Sequence, residues 1–93
     1  MKMKKATHRT QKGLIEVELN LENNKISALK ITGDFFIYPE EALEIIEQEL
    51  LNFEIEEEQL KNKIDEIYKQ QQISTPGISI DDWVTVILKA VNL

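Results

Sequence analysis

Cysteine is absent from this 93-residue chain, and histidine occurs once, as His8. Without thiols the chain cannot form disulfides, present a thiolate nucleophile, or hold zinc or an iron–sulfur cluster through sulfur, which excludes iron–sulfur scaffolding and sulfur transfer. A single histidine cannot make a two-histidine metal site, so no metal-ligating residues are expected. No apolar run reaches membrane-spanning length, and no apolar stretch follows the charged start at Lys2, Lys4 and Lys5 to make a signal peptide. The expectation is a cytoplasmic protein with no membrane partner. The chain also lacks length: residues 1–93 make one domain with a single modest core and little room for a deep substrate cavity. A self-sufficient enzyme is not expected.

What the chain does have is charge and pattern. Seventeen Asp+Glu against eleven Lys+Arg give a net charge of −6, which a phosphate backbone repels. The basic residues Lys2, Lys4, Lys5, Arg9 and Lys12 precede any acid, whereas Glu40 to Glu66 carries eleven acids against Lys61 and Lys63. This reads as a basic arm and an acidic body. The arm lacks interleaved aromatics for base stacking, so no nucleic-acid partner is expected.

Ile15, Val17, Leu19 and Leu21 alternate with Glu16, Glu18 and Asn20, the pattern of a half-buried strand over 14–21. Asn23-Asn24 follows, and asparagine tolerates the positive φ of a tight hairpin turn. A return strand is predicted over 26–32. Leu29 and Ile31 share one face of it while Ile26 and Ala28 fall on the other, which leaves the register near the turn open. The polar stretch 5–12 reads as an exposed edge strand. Pro39 with Glu40 and Glu41 marks a helix start, running to about Leu51 with Leu43, Ile46 and Leu50 as its buried stripe. A second helix follows on the stripe Leu60, Ile64, Ile67 and Tyr68, then a loop at Ser74-Thr75-Pro76-Gly77. Ser79 with Asp82 makes a variant capping box ahead of Ile80, Trp83, Val84, Ile87, Leu88 and Val91, all at helical spacing. Strands first and helices afterwards predict an α+β fold: a small antiparallel three-stranded sheet packed on one face by about three helices, a two-layer sandwich. Its parts are a basic arm or edge strand at 1–12, a hairpin at 13–33 and a helical layer at 39–91.

The chemistry-bearing candidates are few. The glutamates between Glu40 and Glu58 lack the alternating ligand spacing and central glycine of a calcium loop and read as a solvated helix face. His8 has no nucleophile placed near it, and Trp83 belongs to a core stripe. Two glycine segments remain, Lys12-Gly13 and Gly33-Asp34-Phe35-Phe36. In an antiparallel hairpin they lie at the same end of the sheet, because Gly13 opens one strand and Gly33 closes its partner. The simpler reading of them is turn chemistry, with Asp34 as a turn acceptor and Phe35 or Phe36 as a core anchor at the sheet-to-helix corner.

Those strings, Lys12-Gly13-Leu14-Ile15-Glu16-Val17 and Ile31-Thr32-Gly33-Asp34-Phe35-Phe36 with the Asn23-Asn24 hairpin between them, resemble the C-terminal accessory domain of lipoate-protein ligases over about Thr7 to Val91. A chain that begins with its own methionine and holds only this part is similar to the separate small subunit of some of those ligases. The resemblance implies a non-catalytic accessory subunit in a heterodimer with the large catalytic subunit, which carries the lipoate pocket, the ATP site and the catalytic lysine. It implies a role in forming lipoyl-AMP from lipoate and ATP, with lipoyl-domain proteins as indirect partners. Lipoate, ATP and magnesium are then cofactors of the complex, none bound by this chain alone. Lys12, Gly13, Gly33, Asp34, Phe35 and Phe36 become the ligand- or partner-facing residues, with no catalytic residue among them. Lys12 is expected to approach the ligand or the partner's loops, and Asp34 to fix the Gly33 corner by local hydrogen bonds. A stand-alone protein-binding module using its sheet edge or basic arm is the alternative reading.

Overall fold

The strand predicted from alternation is the centre of the sheet. In the computed structural model, which describes residues 3–92, β2 (Gly13–Glu22) pairs antiparallel with β1 (Lys4–Thr10) on one side and β3 (Lys25–Asp34) on the other. Ile15, Val17 and Leu19 are fully buried on the face that the helices cover, with Ala6 of β1 and Ile31 of β3 beside them. Each of the buried Ile, Val and Leu side chains contributes roughly 1.5–3 kcal/mol by leaving water. The opposite face is polar, where Lys5 lies 3.5 Å from Glu16 and 3.9 Å from Glu18. The basic segment is therefore an edge strand with acids of β2 beside it, and of its residues Lys2 lies outside those described.

The turn between β2 and β3 is built as the asparagines require, with φ of 54° at Asn23 and 63° at Asn24. The register left open near that turn is settled by a bulge. Asn20 pairs with Ala28 but Leu21 with Ile26, so Ser27 has no opposite number in β2. One extra residue shifts the parity of the strand. Ile26 can thus be fully buried although Leu29 and Ile31 carry the core face of the rest of β3.

Three helices follow: α1 (Ala42–Glu49), α2 (Glu57–Gln71) and α3 (Ile80–Val91). Helix α3 lies across β1 and β2, α1 lies against β3, and α2 packs on both helices. The first helix begins at Ala42 and not at Pro39. The reason is long-range: the Tyr38 N–H and carbonyl both pair with Ser74, at 2.9 and 2.8 Å, which commits that backbone to an extended bridge. Ahead of α2, Glu56 caps the helix by accepting from the N–H groups of Glu58 and Gln59. The capping box of α3 is fully formed: Asp82 N–H donates to Ser79 Oγ at 3.1 Å, and Ser79 N–H to Asp82 Oδ2 at 2.8 Å.

The sheet edges are partly covered. Ile31 N–H donates to Glu47 Oε2 at 2.7 Å, so one of the supposedly solvated glutamates caps the edge of β3. Further along that edge, Ile26 N–H donates to the Phe53 carbonyl at 3.0 Å. On β1, Lys89 Nζ donates to the Thr7 carbonyl at 3.0 Å, and Lys4 Nζ to the Val91 carbonyl at 3.1 Å, a cation at a helix C-terminus.

Candidate functional site

Antiparallel pairing brings the two glycine segments together as the sequence requires. Leu14 pairs with Asp34 and Ile15 with Gly33, which puts Gly13 and Gly33 on neighbouring strands at one end of the sheet. Both adopt backbone conformations that side chains disfavour, with φ of 146° and 150°. A Cβ on Gly13 would meet the Asp34 carbonyl oxygen, and one on Gly33 the Leu14 carbonyl oxygen. Glycine is needed here for close main-chain approach as well as for φ.

Lys12 sits in the two-residue turn between β1 and β2. Thr10 braces that turn: its Oγ1 donates to the Gly13 carbonyl at 2.8 Å and accepts from Lys12 N–H at 3.3 Å. The Lys12 stem lies against Gly77 in the loop ahead of α3. Its ammonium has no hydrogen bond or ion pair among the described residues, nor has the guanidinium of Arg9. The carboxylate of Asp34 is likewise without a hydrogen bond among the described residues, so it does not fix the Gly33 corner as expected. Main-chain pairing with Leu14 does that.

Beyond Asp34 the chain runs extended and its side chains alternate. Phe35 and Ile37 pack against the core, while Phe36 is 81% and Tyr38 74% exposed. The choice between the two phenylalanines as core anchor falls on Phe35, because its ring meets the fully buried Trp83 edge-on, at 5.6 Å between centroids and 81° between planes.

Trp83 anchors the neighbouring loop as well. Its Nε1 donates to the Tyr68 hydroxyl at 2.6 Å; the Tyr68 hydroxyl and Thr75 Oγ1 are 2.8 Å apart; Thr75 Oγ1 donates to the Ile78 carbonyl at 3.0 Å. Because the first and last donors are fixed, the Tyr68 proton points to Thr75, and every polar group in the run is satisfied. Burial raises the Tyr68 hydroxyl above the ordinary phenol value, against the pull of its two hydrogen bonds. The run ties α2, the loop and α3 together, and the Tyr38–Ser74 bridge ties the Phe35–Tyr38 strap to the same loop.

His8, for which the sequence places no nucleophile, has a carboxylate partner: its Nε2 lies 2.9 Å from Asp82 Oδ1. Burial pushes the Asp82 carboxyl up, but the Ser79 N–H and the His8 ring together outweigh it and hold the group below the usual carboxylate range. Ser79 Oγ is engaged in the helix cap, so the trio clasps α3 to β1 and offers no free nucleophile.

Sequence reasoning placed Lys12, Gly13, Gly33, Asp34, Phe35 and Phe36 together and missed Tyr38, Ser74 and Pro76, which border the same end. The alternation through Phe35-Phe36-Ile37-Tyr38 was the available signal. Elsewhere, a depression of ≈ 530 Å³ between the starts of α2 and α3 is lined by Glu56, Glu57, Glu58, Lys61 and Asp81, an acidic wall that repels phosphate. Among the described residues no group of three His, Asp or Glu side chains is arranged to hold a metal ion.

With Lys12 unpaired and the rings of Phe36 and Tyr38 exposed beyond the same sheet end, the chain is an α+β domain that presents a binding surface and no catalytic constellation among the described residues. Comparison with known proteins gives that class its family. Residues 2–87 match the family described as the bacterial lipoate protein ligase C-terminus, and the chain belongs to it. A curated relative, "Lipoate-protein ligase A subunit 2" of Thermoplasma acidophilum, is 37% identical over 76 residues, which cover 82% of this chain and 78% of the relative. Among solved structures, a chain from a study of an archaeal lipoylation system, a bi-partite lipoate protein ligase and its E2 lipoyl domain from the same organism, superimposes with a TM-score of 0.81 at 32% identity. That likeness covers 91% of this chain and 93% of the other.

Proposed function

We propose that this chain is the accessory, non-catalytic subunit of an ATP-dependent lipoate-protein ligase, acting as a heterodimer with the large catalytic subunit in the adenylation of lipoate to lipoyl-AMP. The observation that carries the reading is the likeness in sequence, over 82% of the chain, to a relative named as subunit 2 of a lipoate-protein ligase, together with the likeness in fold to a chain from a bi-partite ligase system. Lipoyl-domain acceptors are then reached through the complex. The setting is cytoplasmic; among the described residues no helix is long and apolar enough to cross a membrane.

Lipoate, ATP and magnesium belong to the complex. The described residues do not fit a nucleotide or magnesium site of their own: the depression between α2 and α3 is acidic and repels phosphate, and no group of three His, Asp or Glu side chains is arranged to hold a metal ion. The chain's share is physical. Adenylation develops charge on phosphate oxygens, and a domain that closes over the reacting groups excludes water and adds fixed donors where that charge appears. Lys12, with its stem held against Gly77 and its ammonium unpaired, is the group able to reach a partner's active-site loop. Gly13 and Gly33 hold the corner, and Phe35 fixes the strap that presents Asp34 and Phe36.

The covered edges support this reading over a stand-alone module that docks by its sheet, because Glu47 and Lys89 already occupy backbone groups of β3 and β1. The test is reconstitution. With the large subunit, lipoate and ATP, pyrophosphate release should rise on adding this chain; equal rates with and without it would overturn the assignment.

A further inference from the structure

The exposed rings of Phe36 and Tyr38 have no role in the fold. Singly exposed apolar residues are ordinary, but these two stand on the same side of one extended strap, with Pro76 across from them. Phe36, Ile37, Tyr38, Gln72, Ser74 and Pro76 line a groove of ≈ 440 Å³ without one charged side chain, in a chain that is 30% charged. The strap is also rigidly held. Phe35 is pinned on Trp83, Tyr38 is paired twice with Ser74, and Thr75 is fixed through Tyr68, so little conformational freedom is left to lose on binding. Aromatic side chains carried on a fixed backbone beside an uncharged shelf are what binding hot spots are made of.

A charge at the border says what fits. Pro76 runs into Gly77, and the stem of Lys12 lies on Gly77 with its ammonium unpaired. A segment that lays apolar side chains on the rings and brings a carboxylate toward Lys12 complements both features. The shelf is continuous with the Gly13–Gly33 end through the strap itself.

We propose that the Phe36–Tyr38–Pro76 shelf is the docking surface for the large catalytic subunit, which lays an apolar segment on the rings and directs an acidic residue flanking that segment at Lys12. This rests on the reading of the chain as an accessory subunit, and it adds where and by what chemistry the two subunits meet. The shelf makes the apolar contact, and Lys12 sets orientation and the salt dependence of association.

The full chain and the large subunit, titrated by calorimetry, test it. The double variant Phe36→Ser/Tyr38→Ser should bind at least about thirtyfold more weakly, the loss that goes with a hot spot of about 2 kcal/mol. Its denaturation midpoint should stay at that of the parent, because both rings are exposed. Leu51→Ser, which removes the remaining large exposed apolar side chain among the described residues, should bind as the parent does. Lys12→Glu should weaken binding most at low salt. Binding of the double variant within twofold of the parent, with pyrophosphate release stimulated equally, would overturn the shelf and leave the functional reading standing. A parent chain that neither binds the large subunit nor stimulates release would overturn both. A parent chain that self-associates through the same two rings would give the shelf to a second copy and overturn the proposal.

Discussion

The indole Nε1 of Trp83 donates to the hydroxyl of Tyr68 at 2.6 Å, and the same indole stands in a T-shaped contact with the ring of Phe35. One buried side chain thereby positions both the loop and the strap that frame the candidate site.

Tyr68→Phe deletes the acceptor of Trp83 and the donor to Thr75 while keeping the ring. Leaving a buried donor unsatisfied costs about 1–3 kcal/mol. Urea unfolding followed by Trp83 fluorescence should show that loss. An unchanged midpoint would mean that water replaces the hydroxyl and the loop does not depend on it.

Gly33→Ala forces a side chain into a positive φ and against the Leu14 carbonyl oxygen. Strain of this kind costs roughly 1–3 kcal/mol, and each kcal/mol is about 4–8 °C in a domain of this size. The Tm should fall by at least about 4 °C. A Tm equal to that of the parent would show that the strand end relaxes around the new methyl group.

Asp82→Asn tests the clasp between α3 and β1. Asp82 is held below its ordinary value in the folded chain, so between that depressed value and about 4 the unfolded chain binds a proton that the folded chain does not. The stabilisation is complete above about 4 and is lost as pH falls through the depressed value. Denaturation midpoints taken from pH 6 downward should drop less steeply for Asp82→Asn than for the parent. Parallel curves would rule out a contribution of the clasp.

Glu47→Ala uncovers the N–H of Ile31. A hydrogen bond to a charged group is worth about 1.5–3 kcal/mol. Exchange of the Ile31 amide should accelerate well beyond that of other β3 amides, which hydrogen-exchange NMR reads directly. Uniform acceleration along β3 would instead report a global loss of stability.

Lys12→Ala separates folding from function. An exposed turn substitution should change stability by no more than about 0.5 kcal/mol. Pyrophosphate release with the large subunit should nonetheless fall. Full adenylation by this variant would withdraw Lys12 from the site.

How much of this was legible depended on how local the cause was. The alternation through Ile15, Val17 and Leu19, the Asn23-Asn24 turn and the Ser79–Asp82 cap are each decided within a few residues, and the structure has them where the sequence put them. Gly13 and Gly33 could be joined because antiparallel pairing alone dictates it. The helix start was misplaced because Tyr38 answers to Ser74, far along the chain. Which phenylalanine turns inward is decided by Trp83, and the partner of His8 lies 74 residues away. No spacing rule reaches such pairs, so the aromatic shelf emerged only from the fold.

The unpaired Ser27 means that β3 reads in two phases, one for Ile26 beside the turn and another for Leu29 and Ile31. If β3 slid one residue past β2, it would exchange buried for exposed side chains in both phases at once, and a slide without the bulge would rescue only one of them. A three-stranded sheet with no disulfide to lock its alignment is thus keyed like a two-step lock, and the glycine corner at its far end is carried into place by that key.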